Sequence, residues 1–173
     1  MTVRRTVRKG GFTLVEILIV VIILGILAAI VIPQFTSASQ DARKNSLVSQ
    51  LQTLRSQLEL YKLQHLDQLP TTLIGGSPAW TQLTNKTDAS GATGVGTAFP
   101  FGPYLQADPT NPLNSVNTTA VGVVTADQVG GTAAGVKNVA FNINSANGKI
   151  WGLSAKQQFI YNEGNPSDSN NDN

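Results

Sequence analysis

The chain has 173 residues, a length that fits one domain with an attached segment, and it contains no cysteine, which excludes disulfides and thiolate metal sites. Four of its 12 basic residues lie in the first eleven positions without an acid, leaving eight basic against ten acidic residues in the remainder. Because the remainder is nearly neutral, composition argues against nucleic-acid binding through a basic surface.

The first predicted element is an apolar helix at residues 12–32, directly after the basic leader at residues 1–11. Only Thr13, Glu16 and Gly25 interrupt its 21 residues. At about 1.5 Å per residue, a helix of this length spans roughly 30 Å, the hydrocarbon thickness of a bilayer. The positive-inside tendency predicts a cytoplasmic leader and an outer position for everything after the helix.

Two ordinary interpretations of this segment are a cleaved secretory signal and an unprocessed anchor. A signal peptide fits poorly because the apolar run exceeds the usual core of about 7 to 15 residues. The small pair Ala28-Ala29 is also followed by further aliphatic residues instead of a polar mature start. Neither interpretation explains an acid inside the run.

Glu16 is that acid, and it follows the Gly11-Phe12 junction closely. An ionised carboxylate at depth in a bilayer costs on the order of 3 kcal/mol, so it needs a partner or a function. Cleavage between Gly11 and Phe12 would create an α-amino group on Phe12 at a similar depth. That group could neutralise Glu16 within one chain or between neighbouring helices.

The stretch "KGGFTLVEILIVVIILGILAAIVIP" resembles the leader and N-terminal helix of type IV pilins and type II secretion pseudopilins. The resemblance implies cleavage by a prepilin peptidase after Gly11 and N-methylation of Phe12, which keeps its positive charge. It also implies that Glu16 pairs with the Phe12 amine of an adjacent subunit during filament assembly. Pro33 closes the apolar run, as it does in that family.

The resemblance further implies a homopolymer, held before assembly in the bacterial inner membrane by a single span. Its implied partners are the peptidase, an inner-membrane assembly platform and minor pilin-like subunits. The assembled filament would be periplasmic or at the cell surface.

The second predicted element is an amphipathic helix at residues 33–66, continuing the first. Its apolar side chains recur at steps of four, three, four and three, which places one stripe on a helix face. These residues are Leu47, Leu51, Leu54, Leu58 and Tyr61. A small sheet in the same chain is the expected cover, ahead of a coiled coil. Because Pro33 removes a backbone donor, we expect a kink or local unwinding in a helix from about Phe12 to about His65.

The predicted globular head covers residues 67–163, after Pro70 ends the helix. Ser77 as N-cap with Pro78 next predicts a short helix through Leu83. The Gly-rich and Pro-rich segments at residues 88–104 and 107–115 read as loops.

Strands are predicted late in the head. Residues 118–125 are rich in β-branched side chains, and Val139, Phe141 and Ile143 alternate before the turn pair Asn147-Gly148. The expected fold is therefore α+β, with the long helix packed on an antiparallel sheet of about three strands.

Three remaining motifs favour ordinary interpretations. The segment "GATGVG" at residues 91–96 lacks the spacing of a nucleotide loop and is read as a flexible loop. His65, the single histidine, is read as a surface residue, and no catalytic set can be assembled around it. The polar tail at residues 164–173 contains Asp168, Asn170 and Asp172 at alternate positions, but the spacing alone favours a solvated tail. The resemblance to major pseudopilins adds the expectation of a calcium ion in a C-terminal loop.

The sequence therefore predicts a structural subunit of a pilus-like filament and not an enzyme. The chain lacks the C-terminal cysteine pair that is common in surface pilins, and "GPYLQADPTNP" resembles the "GPYL…DP…NP" region of major pseudopilins. This resemblance favours a type II secretion pseudopilin over the pilin of a surface pilus for adhesion, motility or DNA uptake. The alternative from another class is a binding module displayed on a single-pass anchor, with residues 1–11 uncleaved.

Overall fold

The structure, a computed structural model, describes residues 11–75, 79–114, 119–155, 158–165 and 168. By its internal contacts, the chain divides into one unit ending at Asp41 and a second beginning at Ala42. The predicted Ser77 and Pro78 lie outside the described residues, as do the leader before Gly11 and most of the C-terminal tail.

The first unit is the apolar part of helix α1, which runs from Leu14 to Gln64. Its large apolar side chains from Phe12 to Phe35 are each between 39% and 84% exposed. By length and composition, α1 can cross a membrane. The helix remains α-helical through Pro33, so the expected local unwinding is wrong, while a kink at this residue stays a prediction.

In the second unit, the predicted stripe on α1 is confirmed. Its five apolar side chains are at most 1% exposed and belong to one core with Leu73, Leu83, Phe141, Ile143 and Ile150. Two short helices follow α1, namely α2 at Thr71–Ile74 and α3 at Thr81–Thr84. The predicted short helix thus begins at Thr81, later than expected.

The segment predicted as loop at residues 88–104 contributes to a small antiparallel ribbon. Strands β1 (Lys86–Thr87) and β2 (Thr93–Gly94) pair with each other, and Thr87 also exchanges backbone hydrogen bonds with Phe101. The loop assignment is therefore wrong for Thr93 and Gly94, because short pairings that depend on distant residues leave little periodicity in the sequence.

The main sheet has three strands in the order β3 (Val121–Val124), β4 (Phe141–Asn144) and β5 (Ile150–Gly152). The hairpin β4–β5 around Asn147-Gly148 is antiparallel, as predicted. Strand β3 pairs with β4 in parallel, so the expectation of an all-antiparallel sheet is wrong for this pair. A parallel pair needs a crossover of a dozen or more residues, and residues 125–140 supply it.

Backbone hydrogen bonds extend the sheet beyond β5. Tyr161 donates to Gly152 at 2.9 Å on one side, and Gly131 donates to Ile160 at 2.8 Å on the other. Residues 158–161 therefore lie between the end of β5 and the crossover. On one face of the sheet, a side chain at Gly152 would press on Leu47 of α1, which explains a glycine here.

Candidate functional site

The candidate site is the start of α1, where the predicted cleavage and assembly residues lie together. Gly11 and Phe12 precede the helix, have no regular secondary structure and are exposed. The residues on either side of the predicted scissile bond, Gly11 and Phe12, are therefore accessible to a peptidase.

Thr13 and Glu16 form a reciprocal set of hydrogen bonds in the first turn. The backbone N–H and the hydroxyl of Thr13 donate to Glu16 Oε2 at 2.8 and 2.9 Å, and the backbone N–H of Glu16 donates to Thr13 Oγ1 at 3.2 Å. This is a capping box, which satisfies backbone donors that the helix itself leaves unpaired. It also holds the carboxylate at the positive end of the helix dipole.

Glu16 thus has a hydrogen-bond partner in Thr13 of the same chain. The sequence carries the signal that locates its partner, because Thr-x-x-Glu before an apolar run is the capping-box pattern. Thr13 supplies no positive charge, however, and residues 11–41 contain neither lysine nor arginine. From Gly11 to Asp41 the sequence thus offers the charge of Glu16 no basic side chain as counter-ion.

His65 is buried and not on the surface as predicted, since only 1% of it is exposed. Its ring stacks on Tyr61 with centroids 3.8 Å apart, and its nitrogens lie 2.8 Å from the Tyr61 carbonyl and 3.0 Å from Thr87 Oγ1. Because a carbonyl only accepts, Nδ1 carries the proton of the first contact, and Nε2 shares the second hydrogen bond with the Thr87 hydroxyl. His65 therefore joins α1 to the ribbon, a structural role.

The β4–β5 hairpin is fastened to the crossover by Asp127. Its carboxylate accepts hydrogen bonds from the ammonium of Lys149 and, at 2.8 Å each, from the amides of Asn147 and Asn144. The hydrogen bond from Lys149 has the largest effect, and together these donors lower the pKa of Asp127 to about 2. Three donors from the hairpin thus hold the carboxylate.

A calcium ion takes six to eight oxygen ligands, several of them carboxylates. In the described part of the C-terminal segment, Asp168 Oδ2 accepts a hydrogen bond from Asn162 Nδ2 at 2.9 Å, and Asn162 Oδ1 accepts one from the Asn165 N–H at 3.2 Å. Among the described residues, no three histidine, aspartate or glutamate side chains cluster as metal ligands. The described residues therefore show no complete set of calcium ligands, and because Asn170 and Asp172 lie outside them, calcium stays an expectation.

The start of the chain is similar to a known N-terminal motif. Residues 7–32 match the family model of the prokaryotic N-terminal methylation motif. The match includes the predicted scissile bond, the capping box and the apolar helix.

Similarity over longer stretches is found to proteins named type II secretion system core protein G. The protein of Klebsiella pneumoniae is 34% identical over 108 residues, covering 62% of this chain and 71% of that protein. Those of Dickeya chrysanthemi and Aeromonas hydrophila are 45% and 40% identical over 68 residues each, covering 39% of this chain. In these two the chain spans about half of the relative's length, 44% and 47%. No solved structure is significantly similar to the chain.

Proposed function

This chain belongs to the family of type II secretion system core protein G, and we propose that it is a pseudopilin, the structural subunit of a filament that drives protein export. The observation that supports this proposal most directly is the exposure of the apolar half of α1. In a single copy of the chain, its large apolar side chains are exposed along the whole of that half. Such a surface requires lipid before assembly and other helices after it. The family relationship favours export over a surface pilus.

The first proposed step is maturation of the N-terminus. A prepilin peptidase cuts between Gly11 and Phe12 and methylates the new amine of Phe12. This is supported by the match of residues 7–32 to the methylation motif and by the exposed, non-helical backbone before Leu14. Cleavage leaves the new positive charge directly before the Thr13–Glu16 capping box.

The second proposed step is pairing of Glu16 with the Phe12 amine of a neighbouring subunit. Moving apolar helices from lipid into a filament gains little hydrophobic free energy, because lipid is as apolar as leucine. An ammonium and a carboxylate attract each other far more strongly in that medium than in water. The charge pair therefore selects the register of neighbouring helices, with Thr13 holding the carboxylate in position.

The chain is membrane-anchored through α1, and we place the leader in the cytoplasm and the head, residues 67–163, outside the inner membrane. Four basic residues before the span and none from Gly11 to Asp41 support this orientation. We assign as partners the peptidase, an assembly platform in the membrane and minor pilin-like subunits. The filament itself is a homopolymer of this chain.

The test is Glu16→Ala in the full chain, expressed with its secretion system. Mass spectrometry of the N-terminal peptide should find a methylated Phe12 terminus in both wild type and variant, while sedimentable filaments should be lost only in the variant. Asp41→Ala is the matched control, because it removes an exposed acid from the same helix outside the apolar run. Normal filaments from Glu16→Ala would contradict the charge pairing, and an intact leader in wild type would contradict the pseudopilin assignment.

A further inference from the structure

The β4–β5 turn contains the single asparagine–glycine pair of the sequence, Asn147-Gly148. Asn147 is exposed, whereas Gly148 is buried with a φ of +75° and faces Leu69, which leaves no room for a Cβ. A glycine after an asparagine leaves its backbone nitrogen unhindered, because no side chain shields it. At this pair, an asparagine side chain is therefore open to attack by the backbone that follows it.

That attack is the first step of deamidation. The backbone nitrogen of Gly148 gives up its proton to hydroxide and bonds to Cγ of Asn147. The bond from Cγ to Nδ2 then breaks, and the leaving nitrogen takes a proton from water and departs as ammonia. A second water opens the resulting five-membered imide at either carbonyl, which leaves an aspartate or an isoaspartate at position 147. The overall reaction consumes one water and releases one ammonia, without an oxidant or a reductant.

In the folded head, hydrogen bonds hold the groups that this reaction must move. The Gly148 N–H donates to the Asn144 carbonyl at 2.8 Å. Asn147 Nδ2 donates to Asp127 Oδ1 at 2.8 Å, and Asn147 Oδ1 accepts from the Lys149 N–H at 3.0 Å. The backbone nitrogen cannot lose its proton, and the amide cannot turn toward it, until these contacts open. The closed hairpin therefore protects Asn147.

We propose that Asn147 is a deamidation site controlled by Asp127, protected while the hairpin is fastened to the crossover and modified when this contact opens. Asp127 has this role because it belongs to the crossover, whereas the other two contacts lie within the turn. Its carboxylate also binds Lys149 and Asn144, so loss of this one group frees the whole turn. The frequency of such local opening sets the rate at which a protected group reacts.

The product of the reaction removes the contact that protected the site. Deamidation replaces the hydrogen-bond donor Nδ2 with a negatively charged oxygen beside the carboxylate of Asp127. Two neighbouring carboxylates repel each other, so the modified hairpin is pushed away from the crossover. An isoaspartate also adds one carbon to the backbone, which disturbs the register of β4 against β5. The modification thus makes opening permanent, and only heads that stay closed keep the asparagine.

Peptide mass spectrometry of the full chain in detergent micelles measures the rate, because the acid product differs in mass from the amide. In warm, mildly alkaline buffer, wild type should lose Asn147 at least about tenfold faster in urea than when folded. Asp127→Ala should raise the rate in the folded state about tenfold, the effect of one lost hydrogen bond to a charged acceptor. Asp127→Asn, which keeps an acceptor oxygen without the charge, should raise it about threefold.

The matched control is Asp108→Ala, which removes an exposed acid outside this cluster and should leave the rate as in wild type. Equal rates in folded and urea-unfolded wild type, or an equal increase in the control, would overturn the proposal. If the fluorescence of Trp80 and Trp151 shows that Asp127→Ala is unfolded, Asp127→Asn decides, and a rate equal to wild type overturns the proposal. None of these outcomes affects the pseudopilin assignment, which concerns the N-terminal helix.

A second measurement tests the effect of the product. Asn147→Asp should lower the urea midpoint of the head at neutral pH, and the difference should shrink in the Asp127→Ala background, where the repulsion is absent. Asn45→Asp makes the same charge change at an exposed position on α1 and should leave the midpoint unchanged. An Asn147→Asp head as stable as wild type would overturn the permanent opening.

Discussion

Arg55 and Glu163, 108 positions apart in the chain, form a two-pronged ion pair at 2.9 and 2.6 Å. The same guanidinium donates to the Ile150 carbonyl at 2.9 Å, so one side chain joins α1, β5 and the segment after Tyr161. Bidentate pairing of this kind fixes geometry more firmly than a single contact. The C-terminal part of the head is thus attached to the helix that leads to the membrane.

We expect Glu163→Gln to destabilise the head by about 1 kcal/mol, discounted because the two side chains are 38% and 26% exposed. Urea unfolding of the full chain in detergent micelles, followed by the fluorescence of Trp80 and Trp151, measures it. Glu59→Gln is the control, since the Glu59 side chain is 66% exposed and its contact with Lys62 contributes little. Equal effects of the two variants would contradict the role of Arg55.

His65→Ala should destabilise the head by about 2 to 4 kcal/mol, because it opens a cavity and leaves the Tyr61 carbonyl without its ring donor. His65→Phe should recover part of that loss by stacking on Tyr61, without restoring either hydrogen bond. The same unfolding assay separates packing from hydrogen bonding. A His65→Ala variant as stable as wild type would contradict the buried, stacked position of His65.

The Asp127 cluster predicts an acid-dependent loss of stability. Because the folded-state pKa of about 2 lies below the ordinary 3.8, the carboxylate contributes stability above about pH 4 and loses it as pH falls toward 2. Asp127→Asn should therefore flatten the stability profile between pH 4 and 2. Asp108→Asn, which removes an exposed acid outside this cluster, is the matched control, and equal flattening by both variants would contradict the role of the cluster.

Thr13→Val should loosen the first turn of α1 while leaving its side-chain volume nearly unchanged. Loss of the cap, about 1 kcal/mol, should speed hydrogen exchange of the Glu16 amide about fivefold in micelles, and Thr13→Ser should restore protection. The control is Thr36→Val. The hydroxyl of Thr36 donates to the Ile32 carbonyl and caps no N–H, so its loss should leave the Glu16 amide unaffected. Unchanged exchange at Glu16 in Thr13→Val would contradict the capping box.

The parts of the fold that the sequence predicts well are those set by local periodicity. The stripe from Leu47 to Tyr61 repeats regularly, so both the helix and its buried face follow from spacing. The turn pair Asn147-Gly148 likewise identifies the β4–β5 hairpin, with Gly148 at a φ of +75°.

The errors concern residues whose environment comes from distant segments. His65 is buried because Thr87 and Phe101 cover it, and neither contact leaves a pattern near position 65. The parallel pairing of β3 depends on where the crossover at residues 125–140 returns, which its composition does not specify. The cleavage site and Glu16 stand out locally, and the Thr-x-x-Glu pattern that identifies Thr13 as the cap is equally local.

Residues 158–161 lie between β5 and the crossover, so the order in which the head folds depends on when these residues emerge from the ribosome. Hydrogen-bonding positions at Gly131, Thr132 and Gly152 find their partners only after Ile160 and Tyr161 have emerged. Until then the sheet keeps an open edge where these late residues will add. Native closure of the head is therefore a late step, because its sheet is complete only once residues 158–161 have joined it.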